Sequence, residues 1–129
     1  MRMDDARKQE VLEVIAAYSR AVRGNDKAAL DVLIAYPLAA IVDGSGIRMI
    51  DNLNAMQAET RARTGWHDTK DENYEVVFAS ADKAHVILRP ATRVRANGSA
   101  IATISAFYAL TRRSSGWKIF VISAVIEPA

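Results

Sequence analysis

Trp117-Lys118-Ile119-Phe120-Val121-Ile122-Ser123-Ala124-Val125-Ile126 decides the fold of this chain, because the stretch is apolar on both sides of an extended strand. Successive side chains of a strand point to opposite faces of its sheet, so both faces here must be covered. Helices of the same chain supply one cover, and a second copy of the protein is the expected source of the other. Upstream lie three more runs of apolar and polar residues in alternation. The first spans roughly residues 73–80, with Tyr74, Val76 and Phe78 in phase. Ala81-Asp82-Lys83 turns it into a run over 84–96, in which Val86, Leu88, Thr92 and Val94 share a face. Asn97-Gly98 tolerates positive φ at both positions and closes a hairpin onto a run from about 99 to 112. Ser114-Ser115-Gly116 then turns into the decisive stretch.

Before residue 73 the pattern is helical. Asp4 or Asp5 can cap a first helix, and Val11, Leu12, Ile15, Tyr18 and Val22 form its apolar stripe. Gly24 ends it. Asp26 caps a second helix over Lys27 to about Ile34, which Tyr36-Pro37 terminates, since the residue before proline avoids the helical region. Residues 38–42 and 47–50 read as a small hairpin around Asp43-Gly44-Ser45-Gly46. Asp51 caps a third helix to about Arg63, closed by Gly65, with Leu53 and Met56 facing inward. The expected architecture is one α+β domain over residues 1–129: three N-terminal helices on a curved, mainly antiparallel sheet.

Composition removes several function classes. Seventeen basic and fifteen acidic side chains leave a formal charge of only +2, so nucleic acid is not the expected partner. The absence of cysteine excludes disulfides and thiolate metal sites. His67 and His85 lie far apart with no carboxylate spaced against them, so no metal site is expected. No apolar run approaches the ~18 residues of a membrane helix. The N-terminus has no signal-like apolar core, which makes cytoplasm the expected location.

Tyr18 on the first helix, Gly24-Asn25-Asp26 between helices, and Gly116-Trp117-Lys118-Ile119 opening the last strand occur in an order that resembles the nuclear-transport-factor-2-like superfamily. SnoaL-like cyclases and ketosteroid isomerases share that fold. The Tyr-Pro helix exit, mid-chain Trp66 and the Arg95-Ala96-Asn97-Gly98 hairpin resemble bacterial members for which a fold rather than a reaction is implied. The resemblance implies a cone whose sheet wraps the helices and leaves a pocket at its open end. It also implies roles. Tyr18 matches a helix-borne phenol, and Asp43 falls within one residue of the isomerase general base. Tyr108 stands where a protonated acid donates a hydrogen bond. A base at Asp43 with phenols stabilising an enolate oxygen would serve an isomerase, cyclase or dehydratase.

Each residue also has a plainer reading. Tyr18 and Tyr108 fit a core, Asp43 fits a turn, and Trp66 is either a lid or a plug. Met56, Trp66, Thr92, Val121 and Ser123 are the expected ligand contacts, with Val86, Leu88 and Tyr108 looking into the same cavity. Phe120 and Ile122 are expected on the outer face, where a homodimer forms. Arg89, Arg93 and Arg95 make a basic row on that outer face, solvated or paired across the dimer. The inward phases of the four runs hold no Asp or Glu. That favours a domain binding a small apolar ligand, without cofactor and without an assured catalytic centre, over the enzyme.

Overall fold

The computed structural model describes residues 3–129, with side chains from Asp5 onward. The capping role expected of Asp4 therefore lies outside the described residues. Helix α1 (Met3–Arg23) buries Val11, Ile15, Tyr18 and Val22, whereas Leu12 lies off this stripe and is 39% exposed. Asp26 caps α2 (Lys27–Asp31), its carboxylate accepting the Ala29 amide at 3.1 Å. This helix stops short of the expected Ile34. Ile34 instead opens strand β1 (Ile34–Ile41), which runs through a cis Tyr36-Pro37 bond. Tertiary pairing outweighs local helix preference here. Ile34 lies opposite Ile119, and the Ile119 amide donates to the Leu33 carbonyl at 2.8 Å.

Strand β2 (Arg48–Ile50) returns antiparallel to β1. Asn52, rather than Asp51, caps α3 (Leu53–Thr64) by accepting the Ala55 amide at 3.0 Å. Gly65 closes that helix at φ 79°, a conformation that suits glycine. A short strand, β3 (Asp68–Lys70), precedes the meander of β4 (Asn73–Ala79), β5 (Lys83–Val94), β6 (Ala100–Arg113) and β7 (Gly116–Pro128). The sheet order is β2-β1-β7-β6-β5-β3, with β4 also paired to β5. Among the described residues only the β1–β7 pair is parallel. The fold is thus α+β, with N-terminal helices against a curved, mostly antiparallel and unclosed sheet, as the sequence implies.

Each strand of the meander carries one residue more than a partner opposes; in β6 it is Ile101, between the pairs Arg93–Ala102 and Val94–Ala100. Val77 is the extra residue of β4, between the pairs Val76–Val86 and Phe78–His85. Arg89-Pro90 of β5 together face Ser105, between Leu88–Ala106 and Ala91–Ile104. Phe120 is the extra residue of β7, between Ile119–Leu110 and Val121–Ala109. Such bulges bend a strand and exchange its two faces beyond that point. Phe78 accordingly turns outward and is 67% exposed, although Tyr74 and Val76 pack on the core. Beyond Pro90 it is Ala91 and Arg93, not Thr92, that turn inward. Beyond Phe120 it is Ile122 and Ala124, not Val121 and Ser123. β6 keeps the expected inward set of Ile104, Ala106, Tyr108 and Leu110.

The core is solid at one end of the concave face, where Ile15, Leu30, Leu110 and Ile119 are at most 1% exposed. At the other end, α1, α3 and the far halves of β5, β6 and β7 enclose a hollow. Leu110→Ala is expected to cost about 2–5 kcal/mol in urea unfolding, through lost burial and the void left behind. Leu12→Ala on the outer side of α1 should stay within about 1 kcal/mol.

Candidate functional site

The hollow has a volume of about 340 Å³ and opens at the rim formed by Asp43, Arg48 and Arg63. Its inner wall is a group of three phenols. The ring of Tyr108 lies 5.5 Å from that of Tyr18, nearly edge-on, and 5.9 Å from that of Tyr74. Tyr18 comes from α1, Tyr74 from β4 and Tyr108 from β6, so the cluster exists only once helix and sheet meet. Tyr18 and Tyr108 are 6% and 3% exposed. Burial first, and the neighbouring phenols next, push the hydroxyls of Tyr18 and Tyr108 well above the ordinary phenol range. Burial likewise raises Tyr74. All three are neutral hydrogen-bond donors across the physiological range.

A carboxylate does reach the cavity, but from a turn rather than a strand. Glu72, just before β4, accepts from the Tyr74 hydroxyl at 2.9 Å and from Ser19 Oγ at 2.5 Å. Both its oxygens are engaged. Asp43, the expected base, is fully exposed at the rim. Its Oδ1 accepts from the Ser45 amide at 2.8 Å and also from the Ser45 hydroxyl. These hydrogen bonds hold its pKa below the ordinary carboxylate value. A general base needs the opposite shift, so the geometry gives Asp43 a turn-forming part.

Trp66 closes one side of the hollow. It is 5% exposed, and its indole N–H donates to Thr69 Oγ1 at 3.1 Å. Two guanidiniums stand over its ring, that of Arg61 at 4.3 Å and that of Arg93 at 4.2 Å from the centroid. Arg61 is held by the Val22, Trp66 and His67 carbonyls. Arg93 lines the cavity, and its Nε is buried without a hydrogen-bond partner. Burial lowers the pKa of both arginines.

Of the residues expected from sequence, Tyr18, Asp43, Met56, Trp66 and Tyr108 line the hollow. Thr92, Val121 and Ser123 do not, because the bulges turn them to the other face. Ile122, expected outside, lines it. Arg93, placed by alternation on the outer basic row, is inside for the same reason. Pro90 is the signal that betrays this switch, since proline within a sheet is confined to edges and bulges. Nothing comparable in the sequence marks Val77 or Phe120. Among the described residues no group of His, Asp and Glu is arranged to hold a metal. No described helix is long and apolar enough to cross a membrane.

A family model described as NTF2-like protein (DUF6841) matches residues 9–126. The chain belongs to this family. The NTF2-like fold is also found in solved structures at low identity. An NTF2-like protein of unknown function from Pseudomonas putida KT2440 is 14% identical, with TM-score 0.73 over 95% of this chain and 88% of its own. A conserved protein from Planctomyces limnophilus DSM 3776 is 14% identical, with TM-score 0.70 over 97% of this chain and 99% of its own. Hexachlorocyclohexane dehydrochlorinase LinA-type3 from Novosphingobium barchaimii LL02 is 16% identical, with TM-score 0.66 over 94% and 86%. A search among curated proteins finds no match. At these identities the structures speak for the fold of this NTF2-like protein and not for its chemistry.

The phenol cluster has a signature in alkali. Tyr18, Tyr74 and Tyr108 ionise near pH 10 when unfolded and resist ionisation when folded. Their contribution to stability is intact below about pH 10 and falls above it, because the unfolded state then releases protons the folded state keeps. Phenolate absorbance from these three should appear only together with loss of the folded circular dichroism signal. Their ionisation well before unfolding would contradict the burial described.

Proposed function

We propose that this NTF2-like protein binds a small, mainly apolar molecule in the hollow of its cone and does not use Asp43 as a catalytic base. The observation that carries this reading is the cavity itself. About 340 Å³ lies within the range of small-molecule sites. Leu88, Ile104, Ile122 and Met56 give it apolar walls, the phenols and Arg93 stand at its inner end, and the exposed charges of Asp43, Arg48, Glu59 and Arg63 lie toward its mouth. Met56 and Trp66 contact the ligand, while Tyr18 and Tyr108 offer hydroxyl protons to an oxygen of it. An isomerase, cyclase or dehydratase centred on Asp43 is disfavoured by the exposure and lowered pKa of that carboxylate. No cofactor is required by this reading, and cytoplasm is the proposed location.

We further propose a homodimer through the outer sheet face. Phe78, His85 and Phe107 form an aromatic strip there, with ring spacings of 6.3 and 4.9 Å, and Val125 is 62% exposed beyond them. Ile122 faces the cavity and takes no part.

Native mass spectrometry of freshly purified protein should show a small-molecule adduct, or uptake of an added apolar probe. Ala106→Trp, which fills the hollow, should abolish it; binding that survives this substitution would move the ligand elsewhere. Asp43→Asn should leave binding unchanged. Sedimentation should show a dimer that Phe107→Asp converts to monomer, because a buried unpaired charge is costly. A wild-type monomer at micromolar concentration would refute the interface.

A further inference from the structure

We infer that the ligand of this cavity carries a single carboxylate, received by the guanidinium of Arg93 beside the phenol hydroxyls of Tyr18 and Tyr108. The inference rests on the hollow being a ligand site, as proposed above.

The first ground is that Arg93 lacks a protein partner where other arginines have one. Arg23 pairs with Asp68 at 2.9 Å, Arg89 with Glu75 at 2.6 Å, and Arg112 reaches Glu10 at 3.9 Å. Arg95 donates to Ser99 and Ala100 on the surface. Among the described residues no carboxylate lies within ion-pair distance of Arg93, and no described hydrogen bond uses its guanidinium. Arg7 and Arg61 also have a buried, unpartnered Nε. Arg61, however, spends its terminal nitrogens on backbone carbonyls, and Arg7 does not line the cavity.

The second ground is placement. The bulge at Pro90 turns Arg93 into the hollow of the cone. An arginine cannot shed its proton there, so its charge persists without a counterion. The Trp66 face steadies the guanidinium plane at 4.2 Å but accepts no N–H bond in that plane. What remains unmet is the planar donor edge that a carboxylate matches with two parallel hydrogen bonds. Arg61 beside it adds positive charge rather than relief.

The third ground is the rest of the lining. Tyr18 and Tyr108 stay protonated, and a hydroxyl of theirs that turns its proton from the neighbouring phenol to the cavity adds a donor for an anion. Glu72, the lining carboxylate hydrogen-bonded to the phenol cluster, is already held by Tyr74 and Ser19. The other charged residues of the lining, Asp43, Arg48, Glu59 and Arg63, are exposed, so Arg93 is the cation set deepest beside the phenols and the apolar wall, which suits a monoanion with a compact hydrocarbon body. An aromatic or alicyclic carboxylic acid has that form.

The test uses 2-naphthoate and its uncharged isostere 2-naphthamide, titrated calorimetrically into the intact protein. Wild type should prefer naphthoate by roughly ten- to a hundredfold, the range expected for hydrogen bonds to a charged group. Arg93→Gln should erase that preference while leaving naphthamide affinity intact. Arg93→Lys, which keeps the charge but not the planar fork, should retain part of it. Arg113→Gln, an exposed change of equal net charge, should alter nothing. Equal binding of the two probes by wild type overturns the inference and leaves the cavity reading standing, and this holds even if Arg93→Gln does not fold. Preference that persists in a folded Arg93→Gln overturns it equally. Binding of neither probe removes both the carboxylate site and the ligand cavity.

Discussion

A β-strand presents alternate side chains to its two faces, and one inserted residue exchanges everything beyond it. β4, β5 and β7 each contain one such residue, and the contents of the cavity follow from where it falls. Val77, Pro90 and Phe120 all sit part-way along their strands, so each strand changes its inward set as it passes from the solid to the hollow end. Bulges also sharpen the local bend. A sheet bent this way wraps α1 closely at one end and stands clear of it at the other. Curvature and cavity composition therefore have one cause.

The same switch explains why a cation lies inside. On an unbroken strand, Arg93 would share the outer face with Arg89, which meets Glu75 there. Turned inward, it is partly buried, with Nε cut off from water, and gains the face of Trp66, worth on the order of 0.5–2 kcal/mol. Arg61 over the same ring opposes it. Packing gives little return for a partly buried charge that has no counterion.

On the opposite side of the phenols, polarity is fully satisfied. Glu72 is bound by Ser19 of α1 and by Tyr74 of β4, which ties the first helix to the sheet through one carboxylate. Tyr18 and Tyr108 lie between this closed network and the open donors of Arg93. The cavity thus has a saturated wall and an unsaturated one.

The sequence by itself determined the NTF2-like architecture. Periodicity separated helices from strands, Asp26, Gly65 and Asn97-Gly98 marked caps and turns, and the doubly apolar last strand required cover on both sides. It also placed Tyr18 and Tyr108 inward, because α1 is regular and the one extra residue of β6, Ile101, falls before the stretch from Ile104 to Leu110 that shares its inward phase. Alternation alone puts Thr92, Val121 and Ser123 inside and Ile122 and Arg93 outside, the reverse of their positions, since alternation has no memory of an inserted residue. Only Pro90 carried a local warning, through its missing N–H. Register is settled by pairing with a neighbouring strand many residues away, and so the tertiary structure alone decided which side chains share the hollow. It alone brought Glu72 from a turn to the phenols, and left Arg93 there without a counterion.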